Sequence, residues 1–298
     1  MSREAEAAEF LRAVLPDPVA AAFALVTQLG DVWFYVVVLT LLYWYGDRDC
    51  AARILGVALG AISLTLALKH VFAVPRPEVT PLALPAFVPG VFDPFYREAV
   101  SADGYGFPSG HAVGSAAIWG AIAFWSEIGT RRQRLVGWAA LVALISLSRL
   151  VLGVHALADV VAGVAGGGAY LAVVGTAAAR ADDPPTVAFV AATVVAAFAV
   201  VATGGNDEGL AAFGATVGAL VAWHAADVPK KPWPWSAVGA QYALACVVGL
   251  ELLVAVWYVV PMPPGTVAAL AALGVGSVVA APALVRRVKE RKTGARTS

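Results

Sequence analysis

The sequence predicts an all-α membrane protein, a polytopic bundle of about nine transmembrane helices. Sixty per cent of its 298 residues are hydrophobic and only 13% are charged, and the mean hydropathy is +0.78. A soluble core does not need so much apolar sequence, whereas a chain that crosses a bilayer repeatedly does. The formal net charge is zero, and no basic tract precedes the last dozen residues, so a soluble nucleic-acid-binding module is not expected.

The predicted spans follow one another along the chain. The first consists mainly of Val32 to Tyr45, extended by the preceding turn. The apolar run from Val19 to Leu29 is too short to cross by itself, and a Gly30-Asp31 pair breaks the pattern between the two runs. The other eight are predicted at approximately 51–73, 111–127, 134–151, 155–179, 186–203, 209–227, 237–260 and 265–285.

Basic residues predict the orientation of these spans, because Lys and Arg concentrate on the cytoplasmic side of a membrane protein. They occupy alternate loops and the C-terminal tail: Arg48 and Arg53, Arg131 to Arg134, Arg180, Lys230 and Lys231, and then residues 286 to 296. The N-terminus is therefore expected outside the plasma membrane and the C-terminus in the cytoplasm. Lys69, Arg76, Arg97 and Arg149 fall on the opposite, outer side, where an anionic ligand would account for them.

The stretch SRLVLGVHALAD, Ser148 to Asp159, places charged and polar groups inside apolar sequence, where they are costly unless they have partners. If this part is helical, His155 and Asp159 share a face, and the carboxylate can hold the imidazole as a base or nucleophile. Arg149 offers a planar fork suited to phosphate. The alternative is a structural His beside an Arg that extends to the membrane surface.

Two further stretches carry similar groups. KHVFAVPRP, residues 69 to 77, places Lys69 and Arg76 where two cations can clamp a phosphate, or where they serve as interfacial anchors. A long loop over 79–107 follows and is expected to act as a lid or a wall facing the substrate. It ends in FPSGH, whose Pro108, Ser109 and Gly110 predict a turn with N–H groups suited to an oxyanion, or a simple helix cap, before His111.

Together the three stretches resemble the signature of the type-2 phosphatidic acid phosphatase superfamily. That signature is a Lys, six residues and Arg-Pro, then Pro-Ser-Gly-His, then Ser-Arg, five residues, His, three residues and Asp. Order and spacing agree in this sequence: Lys69 with Arg76-Pro77, Pro108 to His111, and Ser148-Arg149 with His155 and Asp159. The resemblance covers approximately residues 15 to 203.

The resemblance implies a role for each residue of the signature. Lys69, Arg76 and Arg149 would bind the phosphate oxygens, and Ser109 with the Gly110 N–H would complete the cradle. His155, oriented by Asp159, would attack phosphorus and form a phosphohistidine, and His111 would protonate the leaving oxygen and later activate water. The resemblance also implies that no metal or other cofactor is required.

The domain prediction follows from the extent of the resemblance. Residues 15–203 would form a six-helix phosphatase core, and 204–298 a C-terminal extension of about three helices with a basic cytoplasmic tail. Glu251, inside the eighth span, is interpreted as protonated or paired rather than functional. His70 and His224 are likewise interpreted as structural. The pairs Gly163 with Gly167 and Gly214 with Gly218 indicate close helix packing.

The predicted activity is hydrolysis of a membrane lipid phosphate or a polyprenyl diphosphate through a phosphohistidine. Phosphatidic acid, phosphatidylglycerol phosphate and polyprenyl diphosphate all remain open as substrates. A lipid phosphotransferase would use the same intermediate, and a lipid or anion transporter would use the basic cluster for binding alone. The sequence does not decide the oligomeric state or the role of the extension.

Overall fold

The fold is known from a computed structural model that describes residues 9–10, 12–76, 82–101, 104–226 and 237–297. Regular structure in these segments is helical, apart from an isolated antiparallel bridge between Pro75 and Tyr105. The predicted all-α class is therefore confirmed. Pro77, Lys230 and Lys231 lie outside the described residues.

The bounded helical elements of the described residues are twelve α-helices, one 3-10 turn (Gly90–Phe92) and one π-helical turn. The α-helices are α1 (Asp17–Gln28), α2 (Val32–Tyr45), α3 (Arg48–Phe72), α4 (Asp93–Val100), α5 (Gly110–Gly114), α6 (Gly120–Trp125), α7 (Arg131–Val151), α8 (Leu157–Ala178), α9 (Pro184–Ala202), α10 (Asp207–Ala225), α11 (Ala237–Val259) and α12 (Pro264–Thr297). The π-helical turn, Ser115–Trp119, joins α5 to α6, so that residues 110–125 form one helical run.

Six helices in the described part of the chain are long and apolar enough to cross a membrane: α3, α7, α8, α9, α11 and α12. The α1–α2 pair, bent by 45° at its break, makes a seventh if the two helices form one broken span. The remaining predicted crossings, 111–127 and 209–227, coincide with the 110–125 run and with α10. A multi-span helical membrane protein is confirmed, whereas the count of nine and the orientation stay predictions.

One compact unit combines Met1–Tyr35 with Leu68–Ala172. Its buried cluster joins Ala24 of α1, three residues of α4 and the turn after α7, namely Tyr96, Ala99, Val100, Leu152 and Val154. Helix α8 packs closely on α5, because a Cβ at Gly163 would lie 2.7 Å from the Ser109 carbonyl oxygen. This contact and a similar one at Gly167 confirm the predicted close packing of α8. His70 makes an edge-on ring contact with Tyr105.

A second compact unit combines Val36–Ala67 with Val173–Ser298. Helix α10 packs tightly on α12, since a Cβ at Gly214 or Gly218 would overlap the backbone carbonyl of Ala268 or Ala272. The predicted role of these two glycines is thereby confirmed. His224 has a polar partner, with its Nε2 atom 3.1 Å from the Thr186 hydroxyl. Glu251 is half-buried on α11, and its role stays a prediction, as does the proposed division at residue 203.

Candidate active site

The turn between α7 and α8 carries the last of the three sequence blocks. Helix α7 ends in a Schellman motif: the Gly153 N–H donates to the Leu150 carbonyl at 3.0 Å, and the Val154 N–H donates to the Arg149 carbonyl at 3.1 Å. Gly153 takes a left-handed φ of 64°, which a side chain would disfavour. The motif keeps Arg149 in the last turn of α7 and directs the chain toward His155.

His155 and Asp159 meet as predicted, although His155 is not helical. The structure places His155 in the turn before α8, so the expected span from 155 begins two residues early. Asp159 lies in the first turn, and its Oδ2 is 3.2 Å from His155 Nδ1 and accepts the Ala156 N–H at 2.9 Å. This second bond reaches back to the residue that precedes the helix, in the manner of a capping box. The carboxylate therefore has a fixed position when it contacts the imidazole.

The environment of His155 favours a neutral ring. Its side chain is 1% exposed, and burial lowers the pKa of His155 to about 4, a shift that the hydrogen bond with Asp159 opposes and that the nearby Arg76 and Arg149 reinforce. With Nδ1 donating to the carboxylate, Nε2 keeps its lone pair. The ring is thus a neutral imidazole with one nitrogen available as a nucleophile.

Ser109 and Gly110 lie at the start of α5, against the same turn. The Ser109 N–H donates to the Asp159 carbonyl at 3.0 Å, which ties the two blocks together. The Ser109 side chain is fully buried, and its hydroxyl has no hydrogen-bond partner among the described residues. Gly110 is the first residue of α5. The close approach of Gly163 on α8 fixes the backbone of Ser109 from the other side.

Arg76 reaches this region through a short pairing of two loop segments. The Gly106 N–H donates to the Val74 carbonyl at 2.8 Å, next to the bridge at Pro75. The guanidinium of Arg76 then donates to the Tyr105 and Val154 carbonyls, both at 3.3 Å. Lys69, which lies near the end of α3, is half-buried. Both Lys69 and Arg76 interact electrostatically with His111.

Arg149 is almost completely buried, at 3% exposure. Its Nη1 donates to the Thr27 hydroxyl at 2.9 Å and to the Ala99 carbonyl at 3.1 Å. Its Nε has no hydrogen-bond partner among the described residues. Two elements outside the signature, α1 and α4, therefore hold this cation in place. The predicted outer loop contributes through Ala99, which supports its interpretation as a wall of the site.

His111, in the first turn of α5, lies against the break between α1 and α2. A Cβ at Gly30 would approach the His111 ring to 3.0 Å, and Asp31 Oδ2 is 3.8 Å from His111 Nε2. Sequence reasoning missed Thr27, Gly30 and Asp31 as site residues. The one signal was the polar Gly30-Asp31 pair inside an apolar run, which was interpreted only as a break in the helix.

The structure thus gathers the eight predicted site residues in one unit. These are Lys69, Arg76, Ser109, Gly110, His111, Arg149, His155 and Asp159. Arg97, the fourth outer-side basic residue, instead pairs with Asp93 on its own helix at 2.6 Å. Among the described residues, no group of three or more His, Cys, Asp or Glu side chains is placed to hold a metal ion. The predicted metal independence stays untested.

The comparisons with known proteins agree with the geometry of this site. Residues 51–182 match the family model of the PAP2 superfamily, and all three sequence blocks fall inside the match. The comparisons with curated proteins and with solved structures found no match. Thr27, Gly30 and Asp31 lie before the matched segment. Residues 51–182 of this helical membrane protein are therefore similar to the PAP2 superfamily.

Proposed function

We propose that this protein is an integral membrane phosphatase that hydrolyses the terminal phosphate of a membrane lipid through a phosphohistidine. The observation that carries the proposal is the buried His155–Asp159 pair, 3.2 Å apart, in electrostatic range of Arg76 and Arg149. Binding alone does not need a neutral imidazole held by a carboxylate, whereas nucleophilic catalysis does. This pair therefore favours an enzyme over a transporter.

In the first step, His155 Nε2 forms a bond to phosphorus while the bond from phosphorus to the lipid oxygen breaks. The electron pair of the broken bond goes to the lipid oxygen, which takes a proton from His111 and leaves as an alcohol. The phosphorylated imidazole ring carries positive charge, and Asp159 stabilises it. Lys69, Arg76 and Arg149 neutralise the transferred phosphoryl group, with Ser109 and the Gly110 N–H as further donors.

In the second step, His111 takes a proton from water, and the water oxygen bonds to phosphorus. The phosphorus–nitrogen bond breaks, its electron pair returns to His155, and inorganic phosphate is released. A polyprenyl diphosphate would react in the same way, with a phosphate in place of the alkoxide as leaving group. An alcohol in place of water would make the protein a phosphotransferase, and the chemistry at His155 would be unchanged.

A lipid substrate is supported by the setting of the site. Six helices among the described residues are apolar enough to cross a bilayer. A protein in the membrane has lipid phosphates beside it, so a lipid phosphate is the substrate that this setting favours. The outer-side placement of Lys69, Arg76 and Arg149 in the predicted topology supports a site that opens to the outer face of the plasma membrane.

The test is phosphate release from phosphatidic acid, phosphatidylglycerol phosphate and polyprenyl diphosphate in detergent with EDTA present, comparing wild type with His155→Ala. We expect release by the wild type and none above background by the variant, and the best substrate identifies the lipid class. Added alcohol acceptors separate transfer from hydrolysis. Lipid or anion flux in vesicles without phosphate release from any substrate would overturn the proposal in favour of a transporter.

A further inference from the structure

The break between α1 and α2 brings an additional carboxylate to the proposed general acid. Asp31 lies at this break, outside the segment that matches the PAP2 superfamily. Its two oxygens have different surroundings: Oδ1 accepts the Val32 N–H at 2.6 Å, and Oδ2 lies 3.8 Å from His111 Nε2. The side chains of Asp31 and His111 are only 14% and 21% exposed. The pair is therefore largely shielded from water.

The carboxylate of Asp31 matters because cationic side chains surround His111. Lys69, Arg76, Arg149 and His155 all interact electrostatically with His111. A proton on His111 adds positive charge to a site built from cations, which opposes the state that a general acid needs. Asp31 supplies negative charge at close range, and its own carboxylate also interacts with Arg149. Asp159 is occupied by His155 and Ala156, and Glu98 interacts with Arg149.

The ring of His111 is also held in place from the Asp31 side. The absent side chain of Gly30 leaves room for the ring edge, since a Cβ there would approach the ring Cδ2 atom to 3.0 Å. His111 Nε2 is buried and has no hydrogen-bond partner among the described residues. A modest closing movement of the Asp31 carboxylate would give this nitrogen a charged acceptor.

We propose that Asp31 is a positioning residue for His111: its carboxylate pairs with the imidazolium while His111 delivers a proton to the leaving oxygen. The inference rests on the proposed phosphatase function and adds a residue that the signature blocks do not contain. Asp31 keeps its charge throughout, and the proton passes from His111 to the leaving oxygen. The residue therefore acts through His111 and not on the substrate.

A simpler role must be separated from this one, because Asp31 also caps α2 through Oδ1. Asn caps a helix about as well as Asp does, since its amide oxygen accepts the same N–H. Asp31→Asn therefore keeps the cap and removes the charge beside His111. Asp93→Asn is the matched control, because Asp93 begins α4 and pairs only with the exposed Arg97 on the same helix in the described contacts.

The experiment uses two substrates that differ in their need for a general acid. Phosphatidic acid releases an alkoxide, which must be protonated, whereas p-nitrophenyl phosphate releases a phenolate that leaves without help. Single-turnover release of each leaving group from the full-length protein in detergent isolates the first step. For Asp31→Asn we expect a loss of about 10- to 100-fold with phosphatidic acid and less than about 3-fold with p-nitrophenyl phosphate. Asp93→Asn should match wild type on both.

The outcomes separate this inference from the proposed function. No turnover by the wild type refutes the phosphatase proposal itself. An active wild type with an equal loss on both substrates in Asp31→Asn, or with no loss on either, refutes the role of Asp31. If Asp31→Asn does not fold, Asp31→Ser is measured in its place, because Ser also caps the helix and carries no charge. Asp31→Glu should recover part of the phosphatidic acid rate, and a variant as slow as Asp31→Asn would contradict the inference.

Discussion

The sharpest perturbation of the proposed mechanism is Asp159→Asn. Asp159 Oδ2 serves two groups, the Ala156 N–H at 2.9 Å and His155 Nδ1 at 3.2 Å. An Asn side chain keeps an oxygen for the backbone bond but loses the charge that faces the imidazole. A hydrogen bond to a charged group contributes about 1.5–3 kcal/mol. Because positive charge develops on His155 only as phosphorus is attacked, that loss falls on kcat, by about 10- to 150-fold.

The assay follows the phosphoenzyme directly. Radiolabelled lipid phosphate is mixed with enzyme, the reaction is quenched in alkali, and the rate of phosphohistidine formation is measured with steady-state phosphate release. KM should change by less than about 3-fold, because Asp159 does not contact the phosphate in the proposed mechanism. Asp182→Asn, the same change at an exposed position, is the control. Wild-type kcat in Asp159→Asn, or a loss confined to KM, would refute the reasoning.

Three further predictions concern the same site. The lowered pKa of His155, about 4, leaves the ring neutral at higher pH, so kcat/KM should persist to about pH 5 and fall toward pH 4; a pH–rate profile with its acid limb centred near 6.5 contradicts this. Thr27→Val removes an acceptor from buried Arg149 and should raise KM about 5- to 20-fold in steady-state kinetics, with Thr27→Ser close to wild type. Gly163→Ala puts a Cβ 2.7 Å from the backbone carbonyl that precedes α5, which should cost about 1–3 kcal/mol of stability in thermal unfolding. Gly166→Ala, whose Cβ meets nothing within 4 Å, should keep or raise the melting temperature, because Ala favours a helix more than Gly does.

Local spacing explains which parts of the site could be predicted from the sequence. Residues four apart at the start of a helix lie close together whether or not the first of them is helical. The contact between His155 and Asp159 was therefore predicted correctly, although the start of the helix was not. The error arose because Gly153 ends α7 in a left-handed turn and α8 starts only at Leu157. The lengths of the apolar runs likewise predicted a helical membrane protein, because a long apolar segment in lipid satisfies its backbone hydrogen bonds by forming a helix.

Long-range contacts account for what the sequence did not predict. Thr27 and Arg149 are 122 residues apart in the chain and are joined by a single hydrogen bond. No periodicity in the sequence encodes such a pairing. Asp31 was visible as a charged residue inside an apolar run, a position that is costly and therefore informative. Its partner became apparent only when the fold placed it beside His111.

The buried polar atoms of the site suggest how the fold prepares for its substrate. Ser109 Oγ, His111 Nε2 and Arg149 Nε are buried without hydrogen-bond partners among the described residues, and each such atom costs about 1–3 kcal/mol. Thr27 and Ala99 hold the guanidinium of Arg149, and the close approach of Gly163 fixes the backbone of Ser109. Phosphate oxygens would satisfy Ser109 Oγ and Arg149 Nε, whereas His111 Nε2 faces the Asp31 carboxylate. Leaving the Ser109 and Arg149 atoms without partners costs stability in the free protein, and their hydrogen bonds to the phosphoryl group strengthen its binding. The donors then need little rearrangement when negative charge develops on the phosphoryl group.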